Sequence, residues 1–261
     1  MYLFKALYIR AYFVTALVMT FWCLSLLGQG KWLWLAPLLT WSPLWLHNTW
    51  RMQVANSGYQ DDREKLAMSL ALAGVGIMLI AGERDHILWW TLAGLFALLL
   101  YIFLISKLTY GVRETKGDKD LLPQLIGSHH PEARLVVFFH AASCPYAKMA
   151  MRELLTVLKT KDEALKPEQV VAVFADELPP WVRKFQQAGG RCWVDTDGEV
   201  CQQLGLWLRD GNVLLDGGRN ALRPALAAIN SEGQVGFWEV AKNFRLPPSL
   251  HTHWERVKRA L

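Results

Sequence analysis

The sequence predicts two units: a helical membrane domain with four transmembrane helices, and after it an α/β domain with a mixed central sheet. The chain has 261 residues, of which 52% are hydrophobic and unevenly spread. Charged residues are scarce before residue 107, which predicts membrane-spanning helices. After residue 132, segments of strand character alternate with segments of helical spacing, which predicts an α/β fold.

Residues 1–106 contain four apolar segments, each near the ~20 residues that a helix needs to cross a bilayer. They lie at about 11–28, 32–50, 66–82 and 87–106. Lys5 and Arg10 precede the first segment as in a signal peptide, but the later segments favour an uncleaved helix. Pro37 and Pro43 interrupt the second, so a re-entrant segment is the alternative there.

The basic residues of this half predict its orientation. If all four segments span, the N-terminus, the middle loop and the segment after the last helix carry most of them, and Lys31 and Arg84 lie in the other two loops. The positive-inside rule then places both termini and the C-terminal domain in the cytoplasm. The sequence therefore predicts an integral protein of the inner or plasma membrane.

Residues 107–132 are predicted to be a linker, because glycines, prolines and charged residues are frequent there. The domain that follows covers 133–261. Its strands are predicted at 135–139, 169–174, 191–194, 224–229 and 234–240, and its helices after Cys144, at 181–188, after 198 and at about 250–261. The last two strands form a hairpin, which makes the sheet mixed.

Cys144 is the residue on which the functional hypothesis depends. It follows a buried strand and a short turn, and Pro145 is typical of the first turn of a helix. At a helix N-terminus, amide groups and the helix dipole stabilise a thiolate, and such cysteines have pKa values of roughly 3.5 to 7.5. His140 could support the thiolate or could pack at the strand end.

Strand, turn and Cys-Pro-Tyr at a helix start resemble the active-site corner of the thioredoxin superfamily. Ala147 occupies the position of the second cysteine of Cys-x-x-Cys. Val-Asp-Thr-Asp-Gly at 194–198 and Arg-Pro-Ala-Leu-Ala-Ala-Ile-Asn-Ser-Glu-Gly at 223–233 are similar to the peroxiredoxin-like and alkyl-hydroperoxide-reductase-like branch. The resemblance implies a thioredoxin-like fold, a cis bond before Pro224 facing Cys144, and a groove formed by Pro145, Tyr146, Arg223 and Pro224.

The resemblance also shows departures from a peroxidase. Ala141 and Val137 stand where peroxiredoxins have a Thr or Ser and a Pro that enclose the peroxide, which argues against peroxide reduction. Cys192 and Cys201 are candidates for distant resolving thiols, and core packing is the alternative. The redox hypothesis further requires that Cys144 be exposed.

Other classes of function find little support. The net charge is +5, but after residue 106 there are 21 basic and 18 acidic residues, interspersed, so no nucleic-acid surface is predicted. His129 and His130 lack companion ligands, and Asp195 and Asp197 fit a turn, so no metal or other cofactor is expected. Four cysteines do not make a disulfide framework, which fits a reducing compartment.

Two hypotheses remain for the function. The first is a membrane-anchored thioredoxin-like protein whose Cys144 acts as a monothiol: it attacks a disulfide, a glutathione adduct or a peroxide and is released by an external thiol substrate. The second is a catalytically degenerate thioredoxin-like module that binds a protein partner at the membrane. Transport is a weaker third, because the predicted spans contain no clear intramembrane charge. The sequence does not indicate the substrate, the partner or the oligomeric state.

Overall fold

The structure is a computed structural model that describes residues 2–54, 64–82, 85–105, 117–160, 165–208, 220–242 and 246–261. The chain divides into two compact units. The N-terminal unit comprises residues 3–54 and 60–107, and the C-terminal unit includes residues 108–261. Of the basic residues behind the predicted orientation, Arg63, Arg84, Lys107, Arg113 and Lys116 lie outside the described residues.

In its described part, the N-terminal unit is α-helical. Its α-helices in that part are α1 (Tyr2–Gly28), α2 (Leu35–Val54), α3 (Lys65–Ala81) and α4 (His86–Leu100). A 3-10 turn at Trp32–Trp34 leads into α2, and a π-helical turn at Tyr101–Ile105 continues α4.

Helix α2 packs against both α3 and α4. Two glycines permit the close approach. A Cβ atom on Gly74 of α3 would lie 2.6 Å from the carbonyl oxygen of Ala36, and one on Gly94 of α4 would lie 2.3 Å from Oγ1 of Thr40. Small residues at such contacts let helix backbones approach where a larger side chain would separate them.

The prediction of four spanning helices is corrected to two candidate spans. Among the described residues, only Leu7–Gly28 and His86–Ile105 are long and apolar enough to cross a bilayer. Helix α3 has 17 residues and is short for a span. Helix α2 has 20 residues, but its hydropathy is lowered by polar side chains that are buried against its neighbours, namely Thr40, Ser42, Asn48 and Arg51.

The C-terminal unit contains a mixed sheet, as predicted. In chain order its strands are β1 (Leu135–Phe138), β2 (Val170–Phe174), β3 (Arg191–Val194), β4 (Trp207–Leu208), β5 (Ala221–Leu222), β6 (Ala225–Ile229) and β7 (Val235–Val240). Five of them form one sheet in the order β3-β2-β1-β6-β7, in which β1, β2 and β3 are parallel and β6 and β7 are antiparallel. This sheet fits a thioredoxin-like domain. The short hairpin β4-β5 was not predicted.

Helices cover both faces of this sheet. They are α5 (Leu122–Gly127), α6 (Pro145–Thr160), α7 (Arg183–Gln187), α8 (Glu199–Gln203) and α9 (Leu250–Ala260). On one face, Val136 and Phe138 of β1 pack in a core with Leu122 and Ile126 of α5 and with Cys201 of α8. Helices α6 and α9 contribute nothing to that core; they pack together, and α9 contacts β6 and β7, so they cover the other face.

Residues 117–127 differ from the solvated linker that the sequence predicts. Leu122 and Ile126 are fully buried, and the amide of Asp118 donates to the carbonyl of Gln203 at 3.0 Å. Pro123 lies in the first turn of α5, where a missing N–H does no harm, so it starts this helix rather than breaking it. This stretch therefore belongs to the core of the C-terminal unit.

Candidate functional site

Cys144 lies at the N-terminus of α6, as the sequence predicts. The amide of Phe139 donates to the carbonyl of Val173 at 3.0 Å, so the pairing with β2 continues one residue beyond β1. The chain then turns, and the Cys144 amide donates to the carbonyl of Ala141 at 3.2 Å. The carbonyl of Cys144 accepts from the amide of Lys148 at 3.2 Å, which makes Cys144 the N-cap residue of a 16-residue helix.

The environment of the Cys144 thiol is closed. The residue is 1% exposed, whereas its neighbours Ser143 and Pro145 are exposed. Tyr146, predicted to line a groove, is buried as well. Burial disfavours a charged thiolate, while the helix N-terminus favours one, so the two effects oppose each other here. The exposed thiol that the redox hypothesis requires is not found.

His140 has a structural partner at the strand end. Its ring is buried, and Nδ1 lies 2.6 Å from the carbonyl oxygen of Leu222. Because a carbonyl oxygen only accepts, Nδ1 carries a hydrogen and donates it. The amide of Leu222 donates back to the carbonyl of His140 at 2.8 Å. His140 thus fastens the end of β1 to β5.

Pro224 lies near the corner but not in the expected conformation. It lines a small pocket together with His140, Ala147, Pro247 and Pro248. The pocket therefore brings together Pro224 and the position where the second cysteine of the motif is missing. No peptide bond among the described residues, which include 223 and 224, is cis, so the prediction of a cis bond is wrong. Arg223 is half-buried, and its amide donates to the carbonyl of Leu206 at 2.8 Å.

Cys192 lies on β3, away from the corner. All four cysteines are described, and none of them is in a disulfide. Cys192 is level with Ala172 of β2, which is level with Val137 of β1. Two strand spacings amount to roughly 9.5 Å, so Cys192 lies well to one side of β1, the strand that leads to Cys144. Burial raises the pKa of Cys192 to about 11.

Cys201 lies in α8 and is completely buried in the core cluster. Burial raises the pKa of its thiol, and the carboxylate of Asp195 raises it further. Asp195 is itself buried and accepts a hydrogen bond from the amide of Cys201 at 2.7 Å. Both thiols are thus kept in the protonated form, which is the unreactive one. Cys201 is thus a core residue, whereas Cys192 is half-buried and lies outside the core cluster.

Trp181 is a residue of the corner that the sequence did not single out. Its Nε1–H donates to the carbonyl of Ala142 at 3.1 Å and so holds the turn before Cys144. The indole also meets Phe139 and Phe174, whose rings stack at 5.1 Å, in edge contacts. The sequence did contain a signal for this role: Trp181 follows Pro179 and Pro180 at the start of a helix, and that helix comes after a buried strand.

Among the described residues, no group of three or more His, Cys, Asp or Glu side chains that could hold a metal ion is found. Asp195 is engaged with α8, and the amide of Gly198 donates to its carbonyl at 3.1 Å, which closes a turn. His129 stacks on Trp193 at 5.1 Å, and His253 lies 5.5 Å from the ring of Phe237.

Comparisons with known proteins add little to this site. No protein-family model and no curated protein matches the sequence. Among solved structures, the chain is similar to a peroxiredoxin-like protein from Aquifex aeolicus, with 17% identity and a TM-score of 0.38 over 49% of this chain and 71% of that one. A likeness at this TM-score supports no inference about fold or function. The thioredoxin-like description therefore depends on the sheet order and the helix positions.

Proposed function

We propose that the protein is a membrane-anchored, catalytically degenerate thioredoxin-like module that binds a protein partner. The burial of Cys144 carries this proposal. In thiol-disulfide exchange a thiolate attacks a disulfide sulfur directly, so the sulfur must be accessible. A residue that is 1% exposed does not offer that access. Ala147 supplies no second thiol, and Cys192 and Cys201 are held protonated.

The pocket beside Pro224 is the first surface to consider for the partner. Apart from His140, it is lined by apolar side chains, among them Ala147, Ala150, Pro247 and Pro248. The resemblance to thioredoxin-like proteins implies a binding groove between Cys144 and Pro224, and the pocket lies on that side of the domain. A degenerate module keeps this groove while losing the chemistry.

The apolar surface of the N-terminal unit supports membrane anchoring. Only 28% of the most apolar stretch of each candidate span is buried, whereas a core helix of a soluble protein is mostly buried. Large apolar side chains are exposed along these helices, including Val14, Phe21, Trp22, Trp89 and Phe96. Surfaces of this kind need a lipid or protein cover. Lipid is the cover that matches helices of this length.

Site-resolved alkylation of the four cysteines tests the loss of thiol chemistry. The full-length protein in detergent is treated with iodoacetamide at pH 7.5, native and in urea, and each cysteine peptide is quantified by mass spectrometry. We expect Cys144 to react at least about 100-fold more slowly in the native protein than in urea. A native Cys144 that reacts as fast as N-acetylcysteine would overturn the proposal.

Monothiol exchange is the second candidate, favoured by the N-cap position of Cys144. In that reaction the Cys144 thiolate attacks one sulfur of oxidised glutathione, a mixed disulfide forms, and a glutathione thiolate leaves. A second glutathione thiolate then attacks the mixed disulfide and releases Cys144. Glutathionylation of Cys144 in the native protein, reversed by reduced glutathione, would support this function, and its absence supports the degenerate module.

Photo-crosslinking tests the partner-binding groove. A photoreactive residue in place of Pro248 should give a discrete adduct in intact membranes. Ala150→Leu places a side chain larger than the small pocket at its edge, and should remove that adduct while the expression level stays that of wild type. The same photoreactive residue in place of Lys159, exposed on α6, is the control and should give none. Equal adducts from both positions, or an adduct that survives Ala150→Leu, would contradict the groove.

The proposed orientation places the C-terminal unit in the cytoplasm. It is supported by the Lys and Arg residues that precede the first candidate span and follow the second, since two spans leave both termini on the same side. A reporter that is active only in the cytoplasm, fused after Leu261, should be active. Activity of a reporter that functions only on the opposite side of the membrane would reverse the orientation.

A further inference from the structure

The N-terminal unit contains a buried ion pair whose two residues lie just outside the predicted spans 32–50 and 66–82. The Arg51 Nη2 atom at the end of α2 lies 2.9 Å from Oε1 of Glu64, just before α3. Arg51 is 1% exposed and Glu64 is fully buried. The other carboxylate oxygen, Oε2, lies 3.3 Å from Nδ1 of His47. Charged groups that are buried this deeply are costly unless they are paired and fully hydrogen-bonded, and within helical bundles they often mark functional sites.

Glu64 also has an unusual backbone. Its φ of 48° and ψ of 50° lie in the left-handed region, and it is the only described non-glycine residue with a positive φ. Its carbonyl accepts the first hydrogen bond of α3, from the amide of Met68 at 2.9 Å. Strained conformations of this kind persist where the surroundings hold them, and they cluster at binding sites.

The cluster of Asn48, Arg51 and Glu64 contains hydrogen-bond donors that have no described acceptor. Arg51 Nη2 donates to Glu64 and to Oδ1 of Asn48, but Nε and Nη1 of Arg51 have no partner in the described part of the chain. Since Oδ1 of Asn48 accepts from Arg51, the amide nitrogen Nδ2 is a donor, and it too is buried without a described partner. All three unused atoms are donors, so the missing partner must be an acceptor.

We propose that Asn48 and Arg51 bind an oxyanion, a phosphate or a carboxylate group, at the end of α2. The guanidinium group is planar, permanently charged and suited to such groups. Glu64 already balances the charge of Arg51, so an anion brings the site to a net negative charge. His47 lies on the far side of Glu64, with Nδ1 3.3 Å from Oε2 of the carboxylate.

Thermal unfolding of the full-length protein in phosphate-free dodecyl maltoside tests the site. The probes are inorganic phosphate, acetate and dihexanoyl phosphatidate, each compared with chloride at equal ionic strength. We expect at least one probe to raise the unfolding midpoint with a saturable dependence on concentration. Saturation by phosphatidate at a lower concentration than by phosphate indicates a lipid headgroup, and the reverse order indicates a soluble ion.

Two variants assign the effect to the cluster. Arg51→Lys keeps a charge for Glu64 but removes the guanidinium donors, and should raise the saturating concentration at least about tenfold. Asn48→Asp keeps an acceptor for Arg51 but replaces the unused donor by a negative charge, and should abolish the midpoint rise. This variant carries the test if Arg51→Lys does not fold. Arg10→Gln, exposed on α1, is the control and should behave as wild type.

Other occupants have distinct signatures. The segment 55–63 lies outside the described residues, and its sequence includes Asp61 and Asp62. If these carboxylates accept from Arg51, a variant with Asp61→Asn and Asp62→Asn is as destabilised as Arg51→Lys and no probe acts on wild type, which overturns the proposal. Water as the acceptor gives no rise with any probe, which overturns it equally.

Discussion

Ser249, the N-cap residue of α9, donates a hydrogen bond from Oγ to Oε1 of Glu153 on α6 at 2.6 Å. The same carboxylate oxygen accepts from the amide of His251 at 2.7 Å. Glu153 is buried and lies at the N-terminus of α9, where the helix dipole favours a negative charge. The middle of α6 is thus fixed to α9, and Cys144 lies at the start of that same helix.

Replacement of Glu153 should destabilise the C-terminal unit. Glu153→Ala leaves the α9 amide of His251 without its acceptor, and we expect the free energy of unfolding to fall by roughly 2–3 kcal/mol. Glu153→Gln, which retains an acceptor, should lose less. Urea denaturation of residues 117–261 measures the effect, and Glu255→Ala, exposed on α9, is the control. Equal stability of the alanine variants at 153 and 255 would contradict the tie.

Two glycines of α3 provide a matched test of helix packing in the N-terminal unit. A Cβ atom on Gly74 would collide with the backbone of Ala36, whereas one on Gly76 would meet nothing within 4 Å. Gly74→Ala should therefore cost about 1–3 kcal/mol, because α2 and α3 must separate. Gly76→Ala should be neutral or stabilising, because alanine favours the helix. Thermal unfolding in detergent distinguishes the two, and equal midpoints would refute the α2–α3 contact.

Alkaline pH should destabilise the protein partly through Cys192. In the unfolded chain its thiol ionises near about 8.5, whereas the folded protein keeps the proton until about pH 11. The unfolded state therefore loses protons first, and the free energy of unfolding falls as the pH rises between these values. Cys192→Ala should remove this part of the pH dependence. A variant with an unchanged slope above pH 8.5 would argue against the raised pKa.

The reactivity of Cys192 follows from the same pKa. At pH 7.5 its thiolate fraction should be roughly 300-fold below that of an ordinary cysteine, since each pKa unit is a factor of ten. Its alkylation rate should keep rising with pH beyond pH 10. A rate that levels off below pH 9 would show an unperturbed thiol.

Ala147→Cys should restore a dithiol motif. Position 147 is three residues after the N-cap, and residues so spaced at a helix start lie within the ~7 Å between Cα atoms that a disulfide needs. We expect mild oxidation to join Cys144 to the new cysteine, seen as a cross-linked peptide by mass spectrometry. The same substitution at Ala150, farther along the helix, should give no cross-link. A disulfide at neither position would mean either that the first turn of α6 departs from helical geometry or that burial of both positions keeps the oxidant out, and oxidation in urea separates these two outcomes.

The sequence predicted the sheet of the C-terminal unit well, because buried strands leave a strong local pattern. Val136 and Phe138, for example, lie in a continuous apolar run that ends at a turn. Helix α5 was missed because Pro123 and Gly127 look like breakers, although Leu122 and Ile126 have helical spacing. The strands β4 and β5 are two residues long, too short for any pattern to reveal.

The candidate site was less predictable, because accessibility and pairing are tertiary properties. The position of Cys144 at a helix start follows from local sequence, but its burial depends on parts of the chain distant in sequence. The trans bond before Pro224 contradicts an expectation that came from the resemblance alone. The Arg51–Glu64 pair joins the end of α2 to the residue before α3, and the spacing of apolar residues in the sequence does not indicate that both side chains are buried.

The central position of α2 has a consequence for how the protein is made, if its N-terminal unit is embedded in lipid. The indole of Trp41 donates to the carbonyl of Trp90 on α4 at 3.0 Å, and that of Trp45 donates to Oγ1 of Thr20 on α1 at 3.1 Å. Because α4 is the last of these helices to be translated, α2 lacks the first of these acceptors until the ribosome has passed residue 90. The packing of α2, which is not among the candidate spans, is thus completed late in biosynthesis, and a chain that stops at residue 82 should be a substrate for quality control.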